Sequence, residues 1–104
     1  MSPREFVVRA QIGAVGLWRA GSELDEVALS DLELSGRLVV AFEDWASFFD
    51  EIEGDLSDPE VAHEFVSQGF KIAHRLRAEM KGSTVHLVHP VTGEHHEIVR
   101  QAPR

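Results

Sequence analysis

The chain contains no cysteine. Disulfides and thiolate metal sites are therefore excluded, and the absence fits a reducing compartment. Cations are scarce too: 10 Lys and Arg stand against 18 Asp and Glu, a net charge of -8. A DNA- or RNA-binding module needs a basic footprint, which this balance does not supply. No run approaches the roughly 20 apolar residues needed to cross a bilayer. Met1 to Arg4 lead straight into a strand-like pattern with no apolar leader region behind them. A cytoplasmic protein is the expectation. Catalytic signals are also missing. Ser30, Ser35, Ser47, Ser57, Ser67 and Ser83 fall in caps, turns or polar faces, and none sits in a nucleophile elbow. Gly13-x-x-Gly16 is too little for a phosphate loop. Neither an enzyme nor a cofactor is expected.

What is present is acid, and it is concentrated. Fourteen of the eighteen carboxylates lie between Glu23 and Glu64, with Arg37 the single Lys or Arg among them. From Glu43 to Glu64 there are nine acids and no Lys or Arg. A one-signed surface steers basic partners and repels nucleic acid and anionic membranes. The rest of the composition is ordinary, with 43% apolar and 27% charged residues over 104 positions. That is the size and balance of a single domain, residues 1–104, with a modest core.

Along the chain, Phe6, Val8, Ala10 and Ile12 alternate with Val7, Arg9 and Gln11, the period of a half-buried strand. Gly13 and Gly16 interrupt it, and Leu17-Trp18-Arg19 resumes it as a hairpin partner or bulged continuation. Gly21-Ser22 marks a turn, after which Val27 and Leu29 extend a short edge strand. Ser35 is a candidate N-cap for a helix over 36–53. Projected at about 100° per residue, Leu38, Phe42, Trp45, Phe49 and Ile52 form its apolar stripe. Gly54 then stands where a C-terminal glycine belongs. Ser57-Asp58-Pro59-Glu60 has capping-box spacing, with Ser57 as N-cap, for a helix over 58–81. Its stripe is Ala62, Phe65, Val66, Gly69, Ile72, Ala73, Leu76 and Met80. Gly69 costs about 1 kcal/mol there against alanine, so close approach of another backbone is expected. Thr84 to His89 and His95 to Arg100 read as two strands joined by Pro90-Val91-Thr92-Gly93-Glu94. Gln101 to Arg104 reads as a frayed tail.

The fold expected is α+β, a small antiparallel β-sheet with two antiparallel α-helices on one face, in the order β-β-α-α-β-β. Whether the helices pack on each other or flank the sheet stays open.

Each candidate site has a plain reading beside its functional one. Glu43, Asp44, Asp50 and Glu51 on the first helix, with Asp55 and Asp58 after it, are either a solvated face that maintains solubility or a docking surface for a basic protein. The loop Asp50 to Asp55 is no calcium site, because Ile52 stands where the third loop position needs Asp or Asn. His86, His89, His95 and His96 crowd the last hairpin, but alternation allows at most two to converge. No His-Glu-x-x-His arrangement exists, and edge-strand histidines are the preferred reading over zinc. Phe70 projects about 100° from the centre of its helix's stripe, beside His63, Ser67, His74 and Arg77. It is either covered by the N-terminal strand or the hairpin, or it is an aromatic anchor for a partner. Val40 poses the same question. Trp18 and Trp45 read as core, with Trp18 packing over the helices.

One further signal comes from the set Leu17-Trp18, Leu29-Ser30-Asp31-Leu32-Glu33-Leu34-Ser35, Trp45 with Phe49-Asp50, Phe65 with Gly69, and Ala73-His74-Arg75-Leu76-Arg77-Ala78-Glu79. Spanning roughly residues 6 to 88, it resembles a group of small acidic bacterial proteins, common in actinobacteria, that look like immunity proteins encoded beside polymorphic toxins. The resemblance implies an antitoxin-like inhibitor that occludes a basic cleft on a toxin domain. The hairpin from Pro90 to Arg100 departs from that pattern. Against this stands a homodimeric or scaffold module whose acids only keep it soluble, so monomer and homodimer are both carried forward.

Overall fold

The computed structural model describes residues 4–20 and 25–98. The expected turn at Gly21-Ser22 and the tail from Gln101 lie outside the described residues. Five strands form one sheet: β1 (Glu5–Val8), β2 (Leu17–Arg19), β3 (Asp25–Glu26), β4 (Thr84–Val88) and β5 (His95–Ile98). Two helices, α1 (Gly36–Glu51) and α2 (Pro59–Glu79), stand between β3 and β4, preceded by a short 3-10 turn at Leu29–Asp31. Val27 and Leu29 therefore do not form the expected edge strand. Val27 donates its N-H to the Leu17 carbonyl at 2.9 Å, and the chain then winds into that turn.

The sheet order is β3-β2-β1-β4-β5. Three pairings are antiparallel, as expected, but β1 and β4 run parallel, so the sheet is mixed. Alternation of apolar residues reports which face a strand buries and is silent on direction. Parallel neighbours need a crossover of a dozen or more residues, and both helices lie between Val8 and Thr84. That connection sets the direction.

Phe6 and Val8 of β1, Leu17 of β2, Val85 and Leu87 of β4 and Ile98 of β5 enter one core with Leu38, Phe42 and Trp45 of α1 and Phe65, Ile72, Ala73 and Leu76 of α2. The helices pack on each other as well as on the sheet, which resolves the open question. Val7 and Trp18 alternate onto the opposite face, as neighbours across the β1–β2 pair. Trp18 thus does not pack over the helices. Its Nε1 donates to the Arg9 carbonyl at 3.0 Å, and the Arg9 guanidinium lies 5.4 Å from its ring centre.

Local chemistry accounts for the helix ends. Ser35 caps α1, its Oγ accepting from the Leu38 N-H at 3.2 Å. The helix stops at Glu51, two residues before the expected end, because Glu53 and Gly54 take left-handed φ of 54° and 70°. The Gly54 N-H then returns to the Phe49 carbonyl at 2.9 Å. At α2 the cap is Asp58, whose Oδ1 accepts from the Glu60 N-H at 2.9 Å, and not Ser57. Pro59 explains the shift: it holds the residue before it extended and occupies the first helical position itself.

Glu79 links the two helices. Its carboxylate accepts the N-H and the hydroxyl of Ser35, both at 2.7 Å, and lies 3.5 Å from Arg75 Nε. Burial pushes this carboxyl up, but the Ser35 hydrogen bonds and Arg75 outweigh it, so it titrates below its ordinary value. Gly69 does meet a close neighbour, though it is a side chain and not a backbone. A Cβ there would fall 2.9 Å from Cζ2 of Trp45.

Candidate partner-binding surface

All six acids singled out from the sequence are exposed. Three of them have local structural work. Asp50 Oδ1 accepts the Gly13 N-H at 3.2 Å, which fastens the β1–β2 loop to α1. Asp55 Oδ1 accepts the Ser57 N-H at 3.0 Å. Hydrogen bonding from the Ser57 side chain and then its backbone holds the Asp55 carboxyl below its ordinary value, against slight desolvation. Asp58 caps α2. The other three differ: among the described residues, Glu43, Asp44 and Glu51 have no ion-pair partner. They span two turns of α1, about 12 Å along the axis at ~1.5 Å per residue. Val40, on the same helix, is 54% exposed.

Alternation predicts Ile12 on the buried side of a strand, yet β1 ends at Val8 and Ile12 is 55% exposed. The Arg9 N-H closes the loop onto the Gly16 carbonyl at 2.9 Å, and Gly13 and Gly16 both take positive φ. Those two glycines were the signal that alternation stops. A Cβ built on Gly54 would lie 3.8 Å from Ile12 Cδ1 and 3.3 Å from Phe49. The loop therefore sets an exposed aliphatic side chain at the acidic end of α1, beside Asp50.

Phe70 lies elsewhere, on the flank of α2 that meets the hairpin. It is half-buried, edge-on to His96 at 5.6 Å and to His89 at 6.4 Å between ring centres. It also lines a groove of about 550 Å³ with His63, Val66, Ser67, Lys71 and His74. So Phe70 is not gathered with the six acids.

Two of the hairpin histidines converge, His89 and His96, 5.9 Å apart. Nδ1 of His89 accepts the N-H groups of Val91 and Thr92, each at 3.2 Å, and so organises the turn. Nε2 of His96 lies 3.8 Å from Glu94. His86 Nε2 sits 2.8 Å from Glu5 Oε1, close enough for an ion pair but off the line of a hydrogen bond. Among the described residues no three His, Asp or Glu side chains converge as a metal site would require. No helix among them is long and apolar enough to cross a membrane.

An α+β fold whose first helix carries carboxylates with no ion-pair partner among the described residues, beside an exposed aliphatic residue, has the make-up of a small protein-binding module. Comparison with known families places it further. Residues 4–89 match the family described as Serratia CdiI immunity protein-like, and the chain belongs to that family. The match stops at His89, before β5. No curated protein matches the chain.

Proposed function

We propose that this protein is an immunity protein that inhibits a toxin by stoichiometric binding, as a single cytoplasmic domain, with the solvent face of α1 covering a basic cleft of the toxin. One observation carries the reading. Glu43, Asp44 and Glu51 lie along α1 with no ion-pair partner among the described residues, in a stretch from Glu43 to Glu64 that has no Lys or Arg. Carboxylates so arranged repel one another, and a partner supplying Lys and Arg relieves that repulsion and associates fast. A nuclease cleft, shaped to accept phosphates, has the required charge. Ile12 adds an apolar contact beside the acids, in the pattern of a hot spot rimmed by polar groups. Asp50, Asp55 and Asp58 contribute charge while holding the loop and the turn that shape the face.

The test is association kinetics with a toxin domain, sought first in the neighbouring reading frame. A 1:1 complex is expected, with an association rate that falls steeply as salt is raised from 50 to 500 mM, a change in screening length from roughly 14 to 4 Å. Reversing Glu43, Asp44 and Glu51 together to lysine should slow association by about 10-fold or more while the fold survives. Unchanged kinetics in the folded triple variant would remove the α1 face from the interface.

A further inference from the structure

The groove beside Phe70 has the opposite electrostatic character from the α1 face. Of its lining residues, Val66 and Phe70 are apolar, Ser67 is neutral, and Lys71, His63 and His74 are cationic or protonatable; none is a carboxylate. From Phe65 to Gly82 the chain has Lys71, Arg75, Arg77 and Lys81 against one acid, Glu79. That acid is already engaged by Ser35 and Arg75. The nearest other acid in sequence, Glu64, accepts a hydrogen bond from Gln68 at 3.4 Å. Within a chain of net charge -8, the six lining residues carry one lysine and no acid, and the carboxylate of the hairpin near them, Glu94, stands 3.8 Å from His96 Nε2. At physiological salt the screening length is about 8 Å, so what lies in the groove responds to its own rim more than to distant carboxylates.

The walls are built. Phe70 is braced from the side by His89 and His96, and His89 is fixed in turn by accepting two backbone N-H groups of the hairpin turn. Its volume of about 550 Å³ suits one or two large side chains with their backbone. His63, Lys71 and His74 are exposed around it, in position to meet charge on whatever enters.

We propose that this groove seats an acidic segment of a partner protein, which buries an apolar side chain against Val66 and Phe70 and sets carboxylates against Lys71, His63 and His74. The inference stands apart from the α1 reading: a basic segment suits the acids of α1 and is repelled by Lys71. A partner using both surfaces is dipolar, with a basic region for α1 and an acidic, apolar-tipped segment for α2.

Three capped peptides test it by amide chemical shifts on the full chain: Asp-Asp-Leu-Phe-Asp-Asp, Lys-Lys-Leu-Phe-Lys-Lys and Asp-Asp-Ser-Gly-Asp-Asp. The first is expected to shift Val66, Ser67, Phe70, Lys71 and His74 saturably, at least about 10-fold more tightly than the third. The second should leave those amides in place and, on the α1 reading, move those of α1 instead. The double variant K71E/H74E changes only exposed side chains and should lose the first peptide while keeping a native spectrum. No shifts in the groove, equal binding by the third peptide, or undiminished binding in K71E/H74E would each overturn the proposal. Movement of α1 amides by the second peptide reports on the acidic face separately, so the two readings fail independently.

Discussion

Adding one methyl group at Gly69 tests the packing that joins the helices. A Cβ there would approach Trp45 Cζ2 to 2.9 Å, Cε2 to 3.4 Å and Nε1 to 3.5 Å. The indole has little room to retreat. It stacks on Phe65 at 4.7 Å with 9° between the rings, and its Nε1 donates to the Phe65 carbonyl at 3.0 Å. Toward β2, a Cβ on Gly16 would already stand 3.0 Å from Cζ3. Two glycines thus flank one ring. Gly69→Ala gains about 1 kcal/mol in helix propensity. Against that stand an overpacking cost of roughly 1–3 kcal/mol and strain on a buried hydrogen bond worth about 1 kcal/mol. The net expectation is a loss of about 1–3 kcal/mol, or a melting point lower by roughly 4–24 °C at ~4–8 °C per kcal/mol for a domain of this size class. Urea titration followed by tryptophan fluorescence measures it. Gly36→Ala is the control, since that position opens α1 with nothing within 4 Å, and it should be neutral or stabilising. The Gly69→Ala cost should also shrink in a Trp45→Phe background, where the smaller ring leaves space. A Gly69→Ala protein more stable than the parent would refute the wedge.

Other outcomes follow from the same contacts. Glu79→Gln should cost about 1 kcal/mol at pH 7, less than the roughly 1.5–3 kcal/mol of a charged hydrogen bond because water reaches this side chain. The folded carboxyl is depressed, so its stabilisation is present above the unfolded glutamate range near ~4.3 and is lost as pH falls through the folded value. Urea midpoints of parent and variant should therefore converge as the pH is lowered through and below the glutamate range; a gap unchanged by pH would contradict the assignment. Asp58→Ala removes the α2 cap and should lose about 1 kcal/mol, whereas Glu43→Lys, Asp44→Lys and Glu51→Lys should each stay within about 0.5 kcal/mol. Thermal melts that rank these four in any other order would break the division of the acids into structural and free.

How far the sequence foretold the structure depended on which interactions are local. The apolar stripes of both helices, the Ser35 cap and the stop near Gly54 follow from spacing and from residues within one turn of each other. The parallel β1–β4 pairing does not, because no local pattern in Phe6-Val7-Val8 encodes the direction of a neighbour more than seventy residues away. Capping chemistry was read one residue early at α2, since Ser57 and Asp58 both have the right oxygen and only Pro59 selects between them. Trp18 is buried, as expected, but on the sheet face away from the helices, because its strand has three residues, too few for alternation to fix an orientation by itself.

The candidate surface divides along the same line. Exposure of Glu43, Asp44 and Glu51 was legible from the helix period alone. The involvement of Ile12 was not, because it depends on Asp50 holding the Gly13 N-H across 37 residues of sequence. Phe70 was conspicuous as an aromatic off its stripe, but its setting depends on His96 from β5, which lies beyond the family match. The acidic face of α1 and the α2 residues lining the groove fall inside the matched segment, whereas His96, which braces Phe70, lies outside it. If the groove contributes to binding, truncating or grafting β5 should alter the choice among partners while leaving salt-steered association through α1 intact. If it does not, such changes should affect stability alone. Competition between two toxin domains, measured at fixed salt with and without K71E/H74E, separates these outcomes: only a docking groove makes that exposed double substitution change the preference.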